Sequence, residues 1–133
     1  MLLWAKGISA LPGRDKHGET VHKTTTRDVL ELIRKVVLEE AGRLGIRIEK
    51  IILFGSRARG DYREDSDWDI LVVVHKRPGW RQLFRFQSRV RVRLFEALGR
   101  EIDLIVIDKK WFEERKGLWG SLEHAAATEG VAI

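Results

Sequence analysis

The chain has 133 residues, 44% hydrophobic and 34% charged, with a formal net charge of +5 and no cysteine. That is enough for one domain with a real core, and no apolar run nears the roughly 20 residues that span a bilayer. The lack of thiols excludes a disulfide frame, a cysteine nucleophile and a thiolate zinc site, while the positive excess suits a polyanion or an acidic protein partner.

Residues 1–25 show no clear period. Pro12-Gly13 and the polar run to Glu19 read as loop. The segment is expected to be an N-terminal arm, with a docking element built from Leu2, Leu3, Trp4 and Ile8 as the alternative. Its start is too short for a signal-peptide core and lacks a basic leader, so a cytoplasmic location is expected. Residues 26–133 read as a single domain. Thr25 or Thr26 can cap a helix carrying Asp28 in its first turn. Val29, Ile33, Val36, Val37, Ala41 and Leu44 share one face of that helix, and Gly45 ends it. A first strand is expected over 46–54 and a second over 67–74, the latter almost continuously apolar, as in a buried strand. Pro78-Gly79 breaks the chain. Leu83, Phe86, Val90, Leu94 and Leu98 then predict a helix closing at Gly99, although Arg89-Val90-Arg91-Val92-Arg93 alternates like a strand. A third strand follows over 101–107. Asp108 can cap a short helix through Trp111 and Phe112, residues 118–128 read as helix, and Gly130 leads into an apolar tail.

The run from Ile51 to Val74 carries the chemistry. It places Gly55-Ser56 in a turn after the first strand and Asp67-Trp68-Asp69 at the start of the second. Residues two apart on a strand share a face, so Asp67 and Asp69 converge, and adjacent carboxylates repel unless a proton or cation intervenes. Mg²⁺ suits such hard oxygen ligands, and the Gly-Ser turn offers N–H groups and a hydroxyl to phosphate. Asp103, set among Ile102, Leu104 and Ile105, joins the same face if the third strand lies beside the second. Three acids can hold two Mg²⁺ ions for in-line displacement at phosphorus, with Asp103 placed to accept a proton from the attacking hydroxyl. A single Asp near a strand end is usually a turn former or ion-pair partner; three acids with Gly-Ser at this spacing favour the metal reading. Arg57 and Arg59 can contact phosphates or form a solvated basic loop. Ser66 can shape the entry to the acidic strand or touch ligand directly. Trp68, on the opposite face, is expected in the core. Trp80, Trp111 and Trp119 are packing or interface candidates. Arg81, Arg85, Arg89 and Arg93 form either a solvated basic face or a docking surface. Residues 55–60 fit G-x-x-x-x-G, but Asp61-Tyr62 stand where a P-loop needs Lys and Ser or Thr. The four histidines show no paired metal spacing.

The pattern Gly55-Ser56, ten residues, Asp67-x-Asp69, with Asp103 on a later strand, resembles the DNA polymerase β-type nucleotidyltransferases. The wording Gly55-Ser56-Arg57-Ala58-Arg59-Gly60-Asp61 is similar to their minimal branch. The resemblance covers roughly residues 27–133; the bulk of Trp68 departs from the usual aliphatic there. It implies an α+β fold, a short mixed sheet flanked by helices. It also implies that Gly55 and Ser56 hold nucleotide phosphates, that Asp67, Asp69 and Asp103 bind Mg²⁺, and that AMP passes from ATP to a hydroxyl with release of pyrophosphate. Minimal members often act as antitoxins that adenylylate a tyrosine of a HEPN-type ribonuclease toxin. With about 25 residues after the third strand, the acceptor is expected to sit on another molecule or another copy of this chain. Two other readings stand beside a protein-modifying transferase: transfer to a small molecule or RNA, and an antitoxin that neutralises its partner by contact alone.

Overall fold

The computed structural model describes residues 25–133; the arm expected before them lies outside the described residues. Helix α1 (Thr26–Leu44) begins with a capping box. The Thr25 hydroxyl accepts from the Asp28 N–H and the Asp28 carboxylate accepts from the Thr25 N–H, each at 3.1 Å, which satisfies two donors that a helix start leaves open. Strand β1 (Ile48–Phe54), the single turn α2 (Ser56–Arg59), strand β2 (Trp68–Val74) and helix α3 (Trp80–Leu98) follow. Strand β3 (Ile102–Asp108), helices α4 (Lys109–Arg115) and α5 (Leu122–Glu129), and a two-residue strand β4 (Val131–Ala132) complete the described chain.

The four strands form one mixed sheet in the order β3-β2-β1-β4. β2 runs antiparallel to β1 and parallel to β3, and β4 pairs antiparallel with β1. This is the short mixed sheet flanked by helices that the family resemblance implies, an α+β fold. Strand parity assigns the side chains. Trp68, Ile70, Val72 and Val74 of β2 join Ile51 and Leu53 of β1 under α1 and α3. Leu71 and Val73 face the other way and pack with Ile52, Phe54, Phe112 of α4 and Ala126 of α5. β2 is thus covered on both faces, which is why it reads as an unbroken apolar run. Burying a side chain such as Ile70 or Leu71 contributes roughly 1.5–3 kcal/mol.

The helix expected to close at Gly99 is present and runs unbroken through residues 89–93, despite their strand-like alternation. Val90 is buried whereas Val92 is 55% exposed, a split that a strand's alternation forbids. Two local expectations change. The last helix starts at Leu122, where Ser121 supplies the cap by accepting from the His124 N–H at 3.0 Å. The apolar tail is a strand, because Val131 and Ala132 pair with Leu53 and Ile52.

The basic stripe of α3 is partly consumed by the fold. Glu40 of α1 is fully buried, and it accepts from Arg89 and Arg93, each at 2.7 Å. Arg93 also reaches Glu39 at 2.8 Å. Burial alone would favour the neutral acid, yet the hydrogen bonds from Arg89 and Arg93 and the charges of Arg89 and Arg43 outweigh it and hold the Glu40 carboxyl below its ordinary range.

Candidate active site

The site lies where β1 ends and β2 and β3 begin. Phe54 pairs with Asp69 across the antiparallel ladder, so the turn at Gly55 falls beside the Asp69 side chain. Gly55 has φ +78° and ψ −159°, a region that is essentially glycine's alone. A Cβ at this position would also run into Asp69 Oδ2. Glycine is therefore required twice over: by the turn, and by the carboxylate packed against it. Ser56 starts α2 directly after this turn.

The parallel pairing of β2 and β3 puts Asp69 opposite Asp103. Both lie on the sheet face opposite Trp68, and Trp68 is buried at 4% exposure. Asp103 itself is exposed. Surrounded by apolar neighbours in sequence, it escapes burial because β3 is an edge strand and the residue stands near its start. Asp67, just before β2, is exposed as well and lines a groove together with Asp103.

Electrostatics mark Asp69 as the strained member. Its carboxyl is pushed up to about 6 by burial first, then by the charge of Asp103, by the hydrogen bond its protonated form makes to Asp103, and by the charge of Asp67; Arg59 pulls weakly the other way. Burial and the neighbouring acids thus make the charged form of Asp69 costly. Among the described residues, no three acidic, histidine or cysteine side chains are arranged so as to hold a metal ion as they stand. The donor set fits Mg²⁺: hard carboxylate oxygens, an electrostatic deficit of positive charge, and open access at Asp67 and Asp103.

The other candidate residues take more varied places. The Arg57 guanidinium lies between the rings of Tyr62 and Trp68, 4.4 and 4.3 Å from their centroids. It donates to the carbonyls of Glu64 at 2.8 Å and Ser66 at 3.1 Å. Arg100, which precedes β3, donates to the same two carbonyls. The two arginines thus clamp the loop that delivers Asp67 and Asp69, and they tie it to the strand carrying Asp103. Ser66 adds a tie inside the loop, its hydroxyl accepting from the Arg63 N–H at 2.9 Å. Arg59 pairs with Asp61 at 3.3 Å and with Glu129 at 3.5 Å. Arg100 was not singled out from the sequence; its bonds are to main-chain oxygens more than thirty residues away, which leave no mark in a residue pattern.

Together these elements put a glycine-serine turn against one of two paired acids, at the starts of adjacent parallel strands. The chain belongs to the polymerase beta, nucleotidyltransferase family, whose model matches residues 38–116. It is similar to several proteins of Methanocaldococcus jannaschii carried as candidate protein adenylyltransferases. One is 39% identical over 51 residues, 38% of this chain and 52% of the relative. Another is 30% identical over 80 residues, 60% of this chain and 72% of the relative. The chain thus spans about half the length of the first of these curated relatives. Among solved structures, that of a candidate minimal nucleotidyltransferase is 27% identical, covering 84% of this chain and all of the other, with a TM-score of 0.53.

Proposed function

We propose that this chain catalyses Mg²⁺-dependent transfer of AMP from ATP to a hydroxyl of a protein acceptor, and that residues 26–133 are the domain that does so. The observation that carries the reading is the packing of Asp69 between the Gly55 turn and Asp103, which sets a phosphate-binding turn against a pair of acids short of positive charge. Family membership and the names of the relatives support the class of reaction.

In this reading the N–H groups and hydroxyl of Gly55 and Ser56 hold the β and γ phosphates. Asp67, Asp69 and Asp103 would hold the metal. Two bound Mg²⁺ ions would neutralise the phosphates and lower the pKa of the attacking hydroxyl. Asp103, the most accessible of the strand acids, accepts the proton as the acceptor oxygen bonds to the α phosphorus; the bond to the bridging oxygen breaks and pyrophosphate leaves. Arg57, Arg100 and Ser66 keep the loop in place so that the acids stay aligned, while Arg59 would reach phosphate oxygens by exchanging Asp61 and Glu129 for them. The acceptor we favour, on the resemblance, is a tyrosine of a helical HEPN-type toxin, which would make the chain a cytoplasmic antitoxin.

The test is transfer of α-labelled ATP in Mg²⁺ to a co-expressed partner protein, with Asp67→Asn alongside. Label on the partner only with intact Asp67 is the expected result. Label that moves equally with Asp67→Asn contradicts the assignment of the acids, and a stable complex with no label moved favours the contact-only antitoxin.

A further inference from the structure

Helix α3 presents three different faces. Phe86, Val90 and Leu94 are buried against the sheet, and Arg89 and Arg93 are spent on Glu40 and Glu39 of α1. The third face carries Trp80, Phe84, Val92 and Phe95, which are 73%, 68%, 55% and 51% exposed. Steps of four, eight and three residues keep these side chains on one side of the helix. The fold has no use for them: the core closes beneath the opposite face. Four large apolar side chains left exposed on one side of a helix are the kind of surface that marks an interaction site.

The stripe runs into the active site. Val92 and Phe95 form one wall of a groove of about 810 Å³ whose other side includes Asp67 and Asp103. Glu96 and Glu101 also line it, against the single cation Arg91, whose guanidinium donates to the Leu104 carbonyl at 3.2 Å. A chain with an excess of positive charge thus has an acidic groove beside the candidate acids.

We infer that this stripe and groove are the acceptor dock, and that the occupant is a protein segment with an apolar face and a hydroxyl side chain flanked by basic residues. The inference rests on the transferase reading above and specifies its acceptor. Charge selects the class, because Glu96 and Glu101, which stand outside the metal set, repel a polyanion such as RNA and draw a basic segment. Size selects it again: from Trp80 to Phe95 the stripe extends roughly 22 Å along the helix, the footprint of a protein element and far more than a small-molecule acceptor covers. Aromatic side chains at the centre of such a contact supply most of its binding energy.

The experiment measures binding of three probes to the full chain: an amphipathic peptide with leucines, one tyrosine and flanking lysines; the same peptide with glutamates for lysines; and a single-stranded RNA. A non-hydrolysable ATP analogue with Mg²⁺ is titrated separately. The lysine peptide should bind best, and Phe84→Ala and Glu96→Lys should each weaken it roughly tenfold while leaving affinity for the ATP analogue unchanged. Preference for RNA or the glutamate peptide, or equal binding by the variants, overturns the dock and leaves the transferase reading standing. Self-association of the chain that Phe84→Ala abolishes also overturns it, by assigning the stripe to a second copy. Failure of the wild-type chain to bind the ATP analogue removes the transferase reading, and the groove's acceptor role with it.

Discussion

Two carboxylates in this molecule meet opposite fates. Glu40 is fully enclosed between α1 and α3, and two arginines complete its charge and hydrogen bonds. Asp69 is less buried, yet its nearest charged neighbours are two more acids, and its carboxyl is pushed up to about 6. The first is a finished interaction that joins two helices. The second is unfinished within the chain, its acids left short of positive charge where a divalent cation would fit. A buried acid that is satisfied belongs to the scaffold; a cluster of acids left short of cations, beside a glycine turn that only glycine can form, belongs to the chemistry.

The largest expected effect separates the two directly. Asp69→Asn should reduce AMP transfer on the order of a thousandfold, the loss of several kcal/mol of charge stabilisation at phosphorus. Its melting temperature should hold or rise, because the substitution removes repulsion with Asp103 and Asp67. Parallel transfer and thermal-melting assays check both halves.

Glu40→Ala should do the reverse. It leaves Arg93 charged and poorly solvated, with a side chain only 15% exposed, at a cost of about 3 kcal/mol. Denaturant unfolding should report that loss, and the folded fraction should keep its affinity for Mg²⁺ and ATP.

Arg100→Ala sharpens the comparison, since it touches the site only through the carbonyls of Glu64 and Ser66. A supporting role of this kind is worth roughly tenfold in metal affinity or rate. Arg100→Lys should recover only part, because one ammonium cannot span two carbonyls as the guanidinium does. Loss of stability with no change in metal affinity would reassign Arg100 to the scaffold.

The smallest effects are those of pH, and they run in opposite directions. The Asp69 pKa is raised on folding, so its contribution to stability is greatest below the unfolded value near 3.8 and is lost as pH rises towards about 6. Protonation of Asp69 competes with Mg²⁺, so the metal's affinity should fall by up to about tenfold per pH unit below about 6. The Glu40 pKa is lowered on folding, so its contribution is present above its ordinary 4.5 and is lost as pH falls through the folded value. Acid unfolding of wild type and Asp69→Asn, with and without Mg²⁺, separates the two.

The convergence of Asp67 and Asp69 was legible because a strand repeats every two residues, and the Gly55 turn because it follows an apolar strand at once. The helix caps at Thr25, Asp108 and Gly99 were legible for the same local reason. The pairing of Asp69 with Asp103 could be stated only as a condition, since the strand neighbours had to be supplied by the fold. Three features left no local signature. The Arg57–Arg100 clamp acts on main-chain oxygens. Strand β4 is two residues long. The exposed stripe of α3 was hidden because its apolar residues interleave with those of the buried face, and the alternating arginines between them suggested a strand.

The most direct measurement is calorimetric titration of a non-hydrolysable ATP analogue, with and without Mg²⁺, into the wild-type chain and an Asp67→Asn/Asp69→Asn double variant. The account predicts binding that requires Mg²⁺ and is lost in the double variant, whose fold is retained. Equal binding without Mg²⁺, or by the double variant, would show that these acids are not the metal-binding half of a nucleotide site.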